Sequence, residues 1–282
     1  MRILATLVFA AAALVPASQG FSRPPSGVAS PQIAFVKAST GGRRQLMVAN
    51  EDGSGATAIY TSTRMIRPEM GSDGNVYFWD GGRFNRISTT GGAVQMLFDT
   101  NRTIPPPSDL APDGSNLAWF SEASGGLFRY DIGSGQQQAV AAVSSVLDLS
   151  FDRFGANIIF NTPVGDVDYE FRIVPASGGT PAPYGLVGRY SMFDASHRDS
   201  TLVISVFPGG GMGPYLSLWE PGMGTPIRIA DGYQGTYRCD DSAILYQRVV
   251  GSGSTLFRRS SGGAITTVAK PESIFPSYKQ AC

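Results

Sequence analysis

Ser108-Asp109-Leu110-Ala111-Pro112-Asp113-Gly114-Ser115-Asn116-Leu117-Ala118-Trp119 reads as two short apolar stretches separated by a Pro-Asp-Gly turn. Glycine reaches the positive φ that a tight reversal needs, so the stretch predicts a pair of antiparallel strands. The pattern recurs on both sides. Pro68-Glu69-Met70-Gly71-Ser72-Asp73-Gly74 precedes it, and Leu149-Ser150-Phe151-Asp152-Arg153-Phe154-Gly155 follows in a decayed form. Residues 193–199 and 235–241 match mainly by position.

A second mark keeps the same period. A small residue or turn followed by glycine recurs at Gly55, Gly92, Gly135, Gly179, Gly224 and Gly263, at intervals of 37, 43, 44, 45 and 39 residues. Apolar runs flank each glycine, as at 46–49 and 56–60, and predict an outer hairpin in every unit. Upstream of each hairpin lies another β-rich run, at 33–36, 76–79, 117–120, 158–160, 202–205 and 244–247, with a further short strand before it. Six units of four strands, each about 42 residues long, predict an all-β, six-bladed propeller of antiparallel blades. The runs are too short for helices. Tyr77, Trp79, Trp119, Phe120, Phe160 and Tyr246 fall on the second strands and are read as packing between blades.

The inner strand and its turn, strongest at 108–119, resemble the TolB-type, WD-repeat-like propeller repeat Pro-x-Trp-Ser-Pro-Asp-Gly-x-x-Ile-Ala-Phe. The resemblance extends over the chain after its leader, without room for the α/β domain that precedes the propeller in TolB. It implies a periplasmic, protein-binding propeller. Closure supports the count: the first unit lacks an innermost strand, and Pro276-Ser277-Tyr278-Lys279-Gln280 resembles Gly235-Thr236-Tyr237-Arg238-Cys239. The C-terminal strand is therefore expected to complete the first blade and remove an exposed sheet edge.

Residues 1–20 read as a cleaved signal peptide, with Arg2, an apolar run over 3–15, and the small residues Ala17, Ser18 and Gly20. The run is shorter than the roughly 20 residues that cross a bilayer. The expected organisation is a leader at 1–20, a propeller at 21–282, and a periplasmic or extracellular, monomeric product with no membrane span after cleavage. Cys239 and Cys282 would then meet an oxidising compartment, each at the inner turn of neighbouring blades, and a disulfide locking the closure is expected. Charge excludes one class of partner. Without Arg2 the chain has 21 basic and 22 acidic residues, so no global field attracts nucleic acid.

Catalytic signatures are sparse. His197 is the sole histidine, in the inner turn Ser196-His197-Arg198-Asp199, and reads as a solvated loop residue. Neither Gly251-Ser252-Gly253-Ser254 nor Gly209-Gly210-Gly211-Met212-Gly213 meets the requirements of a nucleophile elbow or a phosphate loop. Asn101-Arg102-Thr103 is a glycosylation sequon only in a eukaryotic pathway, and Pro105-Pro106-Pro107 reads as a stiff blade linker.

Alignment of the inner strands places Glu69, Asp109, Ser150, Asp194, Thr236 and Ser277 at one equivalent position. A ring of carboxylates and hydroxyls in a channel suits Ca²⁺ or Mg²⁺, or a basic partner segment. Solvated side chains, or hydrogen bonds between adjacent blades, are the simpler account. The function expected is a non-enzymatic module for a protein or envelope peptide, with no bound cofactor. The alternative is a channel-sited carbohydrate-active or metal-dependent enzyme using carboxylates, with Glu69 and Asp109 as its acid pair.

Overall fold

The structure, a computed structural model, describes residues 32–238, 240–250, 253–269 and 274–275. The repeats form six four-stranded antiparallel blades. Blade 1 holds β1 (Gln32–Ala38), β2 (Arg44–Asn50) and β3 (Thr57–Ser62), and blade 2 holds β4 (Ile66–Met70), β5 (Asn75–Asp80), β6 (Arg83–Ser88) and β7 (Gln95–Asp99). Blade 3 runs from β8 (Ser108–Leu110) through β9 (Asn116–Ser121) and β10 (Gly126–Asp131) to β11 (Gln137–Ala142). Blade 4 is β12 (Asp148–Phe151), β13 (Asn157–Val164), β14 (Asp168–Pro175) and β15 (Ala182–Gly188). Blade 5 is β16 (Tyr190–Ala195), β17 (Leu202–Val206), β18 (Tyr215–Trp219) and β19 (Ile227–Asp231). Blade 6 is β20 (Tyr233–Tyr237), β21 (Ala243–Val250), β22 (Gly253–Ser260) and β23 (Ile265–Ala269).

A last strand, β24 (Ile274–Phe275), pairs antiparallel with β1, with Phe275 opposite Val36 and Ile274 opposite Lys37. C-terminal chain thus closes the ring, as the orphan repeat predicted. The segment 276–280 assigned to that role, Ser277 with it, lies outside the described residues, as do the leader 1–20, Cys239 and Cys282. Glu51 of blade 1 adds electrostatics to the seam, pairing with blade 6 through Arg258 at 2.6 Å and Arg238 at 3.2 Å.

The second strand of each blade explains why the motif carries unbroken apolar runs. Successive side chains of a strand point to opposite faces, and here both faces are buried between neighbouring blades. On β5, Val76 and Phe78 pack with blade 1 beside Val36 and Leu46. Tyr77 and Trp79 pack with blade 3 beside Leu117 and Trp119. Each of the six inter-blade boundaries has its own apolar cluster among the described residues. The aromatics at Phe120, Phe160 and Tyr246 are buried in them, as the sequence implied.

Turn chemistry follows the repeat with local exchanges. Gly114 sits at φ 74° in the Asp113-Gly114 turn, and blade 6 fills the equivalent place with Asp241 at φ 53°. Aspartate tolerates this left-handed region better than most residues. In the outer hairpin of blade 5 the left-handed glycine is Gly222 rather than Gly224.

Trp79 is fully buried against Phe84, Phe98 and Trp119, and its Nε1 donates to Ser108 Oγ at 2.9 Å. Trp79→Ala should lower unfolding free energy by about 3–5 kcal/mol, the range for emptying a large buried site. Urea denaturation of wild type and variant measures it.

Candidate binding site at the channel mouth

Two rows of side chains on the inner strands define the site. The lower row is the ring aligned from sequence. Glu69, Asp109, Ser150, Asp194 and Thr236 do share one register position, opposite Tyr77, Ala118, Ile159, Val203 and Leu245 of their second strands. All five are buried. Glu69, Asp109, Ser150 and Asp194 reach to the next blade, while the Thr236 hydroxyl donates back to Asp194. Glu69 accepts from the Leu110 amide at 2.6 Å and Ser108 Oγ at 2.9 Å. Asp109 Oδ2 accepts from the Phe151 amide at 2.6 Å and Ser150 Oγ at 3.0 Å. Ser150 Oγ lies 3.2 Å from Asp194 Oδ1 and accepts from the Ala195 amide at 3.4 Å. Asp194 Oδ2 accepts from Thr236 Oγ1 at 2.6 Å and the Tyr237 amide at 2.9 Å.

The same geometry repeats four times: a side-chain oxygen in one blade accepts the backbone N–H that follows the equivalent position of the next. An edge amide that would otherwise be buried without a partner is thereby satisfied. Burial pushes the Asp194 carboxyl above its ordinary pKa, and His197, Thr236 and Tyr237 work against that rise.

The upper row lies two residues earlier on the inner strands, nearer the rim; period-two alternation carries it in blades 2 and 4, and bulges at 190–193 and 233–236 intervene in blades 5 and 6. It contains Arg67, Asp148, Met192 and Gln234, and sequence reading passed over it because its members have no common chemistry. Arg67 Nη2 pairs with Asp148 Oδ1 at 3.2 Å, joining blade 2 to blade 4, and donates to the Ser108 carbonyl at 3.2 Å. Asp148 Oδ2 accepts from the Phe193 amide of blade 5 at 3.1 Å. Burial raises the Asp148 pKa, and the adjacent Arg67 charge counters the rise.

Above these groups opens a cavity of about 330 Å³, lined by the upper row, by Glu69, Asp194 and Thr236 of the lower row, and by Met65, Pro105 and Leu147. Met65 and Leu147 are exposed at its lip, at 42% and 39%. The proline linker thus also supplies a wall of the mouth. Among the described residues no cluster of three or more His, Cys, Asp or Glu side chains is arranged to hold a metal ion.

His197 departs from its expected solvated setting. Its side chain is 19% exposed, and Nδ1 lies 3.6 Å from Asp241 Oδ1 of blade 6. Asp241 also accepts from the His197 and Arg198 amides and from Ser196 Oγ. The partner comes from the next blade, 44 residues on, so local sequence gives no sign of it. Burial lowers the His197 pKa, but the Asp241 hydrogen bond and the Asp194 and Asp241 charges outweigh it and hold the group above 6.5.

Two measurements follow. Glu69→Ala leaves two buried donors without an acceptor and should cost about 2–5 kcal/mol, whereas exposed Glu122→Ala should stay within about 0.5 kcal/mol. Equal effects in denaturant titration would contradict the inter-blade role. A raised histidine pKa gives stability that is complete below the unfolded value and disappears as pH rises through the folded one. Wild type should therefore lose more Tm between about pH 6 and pH 9 than His197→Gln does. Parallel profiles in thermal scans would refute the pairing.

No family model matches the chain, and no curated protein matches it. Among solved structures, TolB from Acinetobacter baumannii superposes with a TM-score of 0.76 at 13% identity, over 89% of this chain and 66% of that one. The chain therefore spans just under two thirds of that TolB. A protein assigned as TolB from Agrobacterium tumefaciens gives 0.66 at 12% identity, over 86% of this chain and 90% of that one. A chain of a nidogen/laminin complex gives 0.66 at 11% identity, over 90% and 99%. The shared property is the fold, a six-bladed propeller of the kind that the inner-strand motif resembles.

Proposed function

We propose that the chain is an exported, non-catalytic binding propeller that takes a polypeptide segment of an envelope protein in the mouth of its channel. The observation that carries this reading is the mouth itself: a concave site of about 330 Å³ whose lip is apolar and whose walls hold charged groups already partnered within the fold. Such pockets, with a few oriented polar groups, are common ligand sites. One propeller of this fold belongs to a nidogen/laminin complex, an assembly between proteins, which supports protein binding by such a disc. The leader-like residues 1–20 support export to the periplasm or beyond.

The enzymatic alternative fits the side chains less well. Both Glu69 oxygens, both Asp194 oxygens and Asp109 Oδ2 are engaged in hydrogen bonds between blades. A general acid and base need proton exchange with substrate, and these groups instead hold backbone amides. The same engagement disfavours a Ca²⁺ or Mg²⁺ site on the ring, since a cation would have to displace those donors.

The test is a cross-linked pull-down from the producing cell's envelope with the mature chain and a Met65→Asp, Leu147→Asp variant. Both residues are exposed, so the variant should keep the wild-type Tm. A polypeptide captured by wild type and lost from the variant is the expected result. Capture of the same polypeptides by both would place binding elsewhere.

A further inference from the structure

Charge is distributed unevenly around a molecule that has none overall. In an antiparallel meander the ends of successive strands alternate between the two faces of the disc, so strand membership places each residue. The inner turns, on one face, carry Asp73, Asp113, Asp152, Asp199, Asp240 and Asp241 against Arg153, Arg198 and Arg238, an acidic excess. The opposite face is the one on which the inner strands begin and the mouth opens. Over blades 1–3 it carries Lys37, Arg43, Arg44, Arg64, Arg83 and Arg102, with Arg67 at the mouth.

The acidic residues of that sector are fewer and already engaged. Asp80 is buried and accepts from Tyr60 and Ser62. Asp99 pairs with Arg83 at 3.1 Å, and Glu122 with Arg102 at 2.8 Å. Arg43 and Arg64 are exposed and make no ion pair among the described residues. By contrast, the blade 4 hairpin on the same face carries Asp166, Asp168 and Glu170. Arg189 and Arg248 also lie on this face over blades 4–6, but there they stand against that acidic hairpin and Asp231, so the net basic field lies over blades 1–3 and adjoins the apolar lip at Met65.

We infer that the segment bound at the mouth is an acidic peptide, laid across blades 1–3 with its carboxylates on the arginine sector and an apolar side chain in the mouth. This rests on the peptide-binding reading above and adds the charge and direction of the partner. Complementary charge sets orientation and speeds encounter, whereas the apolar anchor supplies affinity in the desolvated centre. An anionic bilayer would meet the same charges but leave a concave mouth unfilled, so the peptide accounts for both features.

The experiment selects phage-displayed random dodecapeptides on the immobilised mature chain, then measures fluorescein-labelled winners by anisotropy. Winners should be rich in Asp and Glu beside an apolar residue. They should bind an Arg43→Glu, Arg64→Glu variant roughly tenfold more weakly, lose affinity as salt rises, and fail to bind Met65→Asp, Leu147→Asp. Unchanged thermal melting of both variants shows that they are folded. Winners with no acidic bias, or with equal affinity for the arginine variant, overturn the acidic assignment and leave the mouth as the binding site. If no peptide is selected, both readings fail. Co-sedimentation with phosphatidylglycerol vesicles that depends on Arg43 and Arg64, without peptide selection, would assign the sector to a bilayer instead.

Discussion

A blade of four strands cannot bury its own faces or satisfy its own inner edge, and the remainder of this structure follows from that. Apolar faces are covered by the second strands of neighbouring blades, which is why β5 sends Val76 and Phe78 one way and Tyr77 and Trp79 the other. The inner edge is satisfied differently. Glu69, Asp109, Ser150 and Asp194 each reach across to a backbone amide of the next blade. Hydrogen bonds from a buried amide to a carboxylate are among the stronger kind, and leaving either partner alone is costly. The contact therefore fixes the angle and register at which one blade meets the next, and with them the bore of the channel.

This arrangement separates structural from functional polarity along a single strand. The ring position is committed to the ring. Two residues toward the rim, the side chains are free to differ, and they do: Arg67, Asp148, Met192 and Gln234 give the mouth mixed chemistry. The Arg67 and Asp148 pair spans blades 2 and 4 and adds a second tie at the level where a ligand would enter. The other face has its own polar ties: Glu51 with Arg238 and Arg258 across the closure of blades 6 and 1, and Asp241 of blade 6 over the blade 5 turn.

The architecture was legible because its two periods, about 42 residues for the blade and two for the strand, write themselves into glycine spacing and apolar runs. The alignment of the inner strands was legible too, and Thr236 takes the shared position, which the structure sets opposite Leu245. What alignment cannot convey is direction. Equivalent residues were assigned to one ring, but whether their oxygens face the axis or the adjacent blade depends on blade packing, which no single repeat encodes. His197 was misread for a related reason, since its burial is due to Asp241 in another blade. The mouth was missed because it is defined by location alone.

Amide hydrogen exchange at Leu110, Phe151 and Tyr237 tests the central claim most directly. If the carboxylates hold the blades together, these amides should exchange only when the whole propeller unfolds, with protection equal to that of core amides on β5 and β9 and falling in step with global stability as denaturant is added. Exchange orders of magnitude faster than the core, insensitive to denaturant, would mean that the ring opens locally and that its carboxylates are accessible to a ligand in the channel.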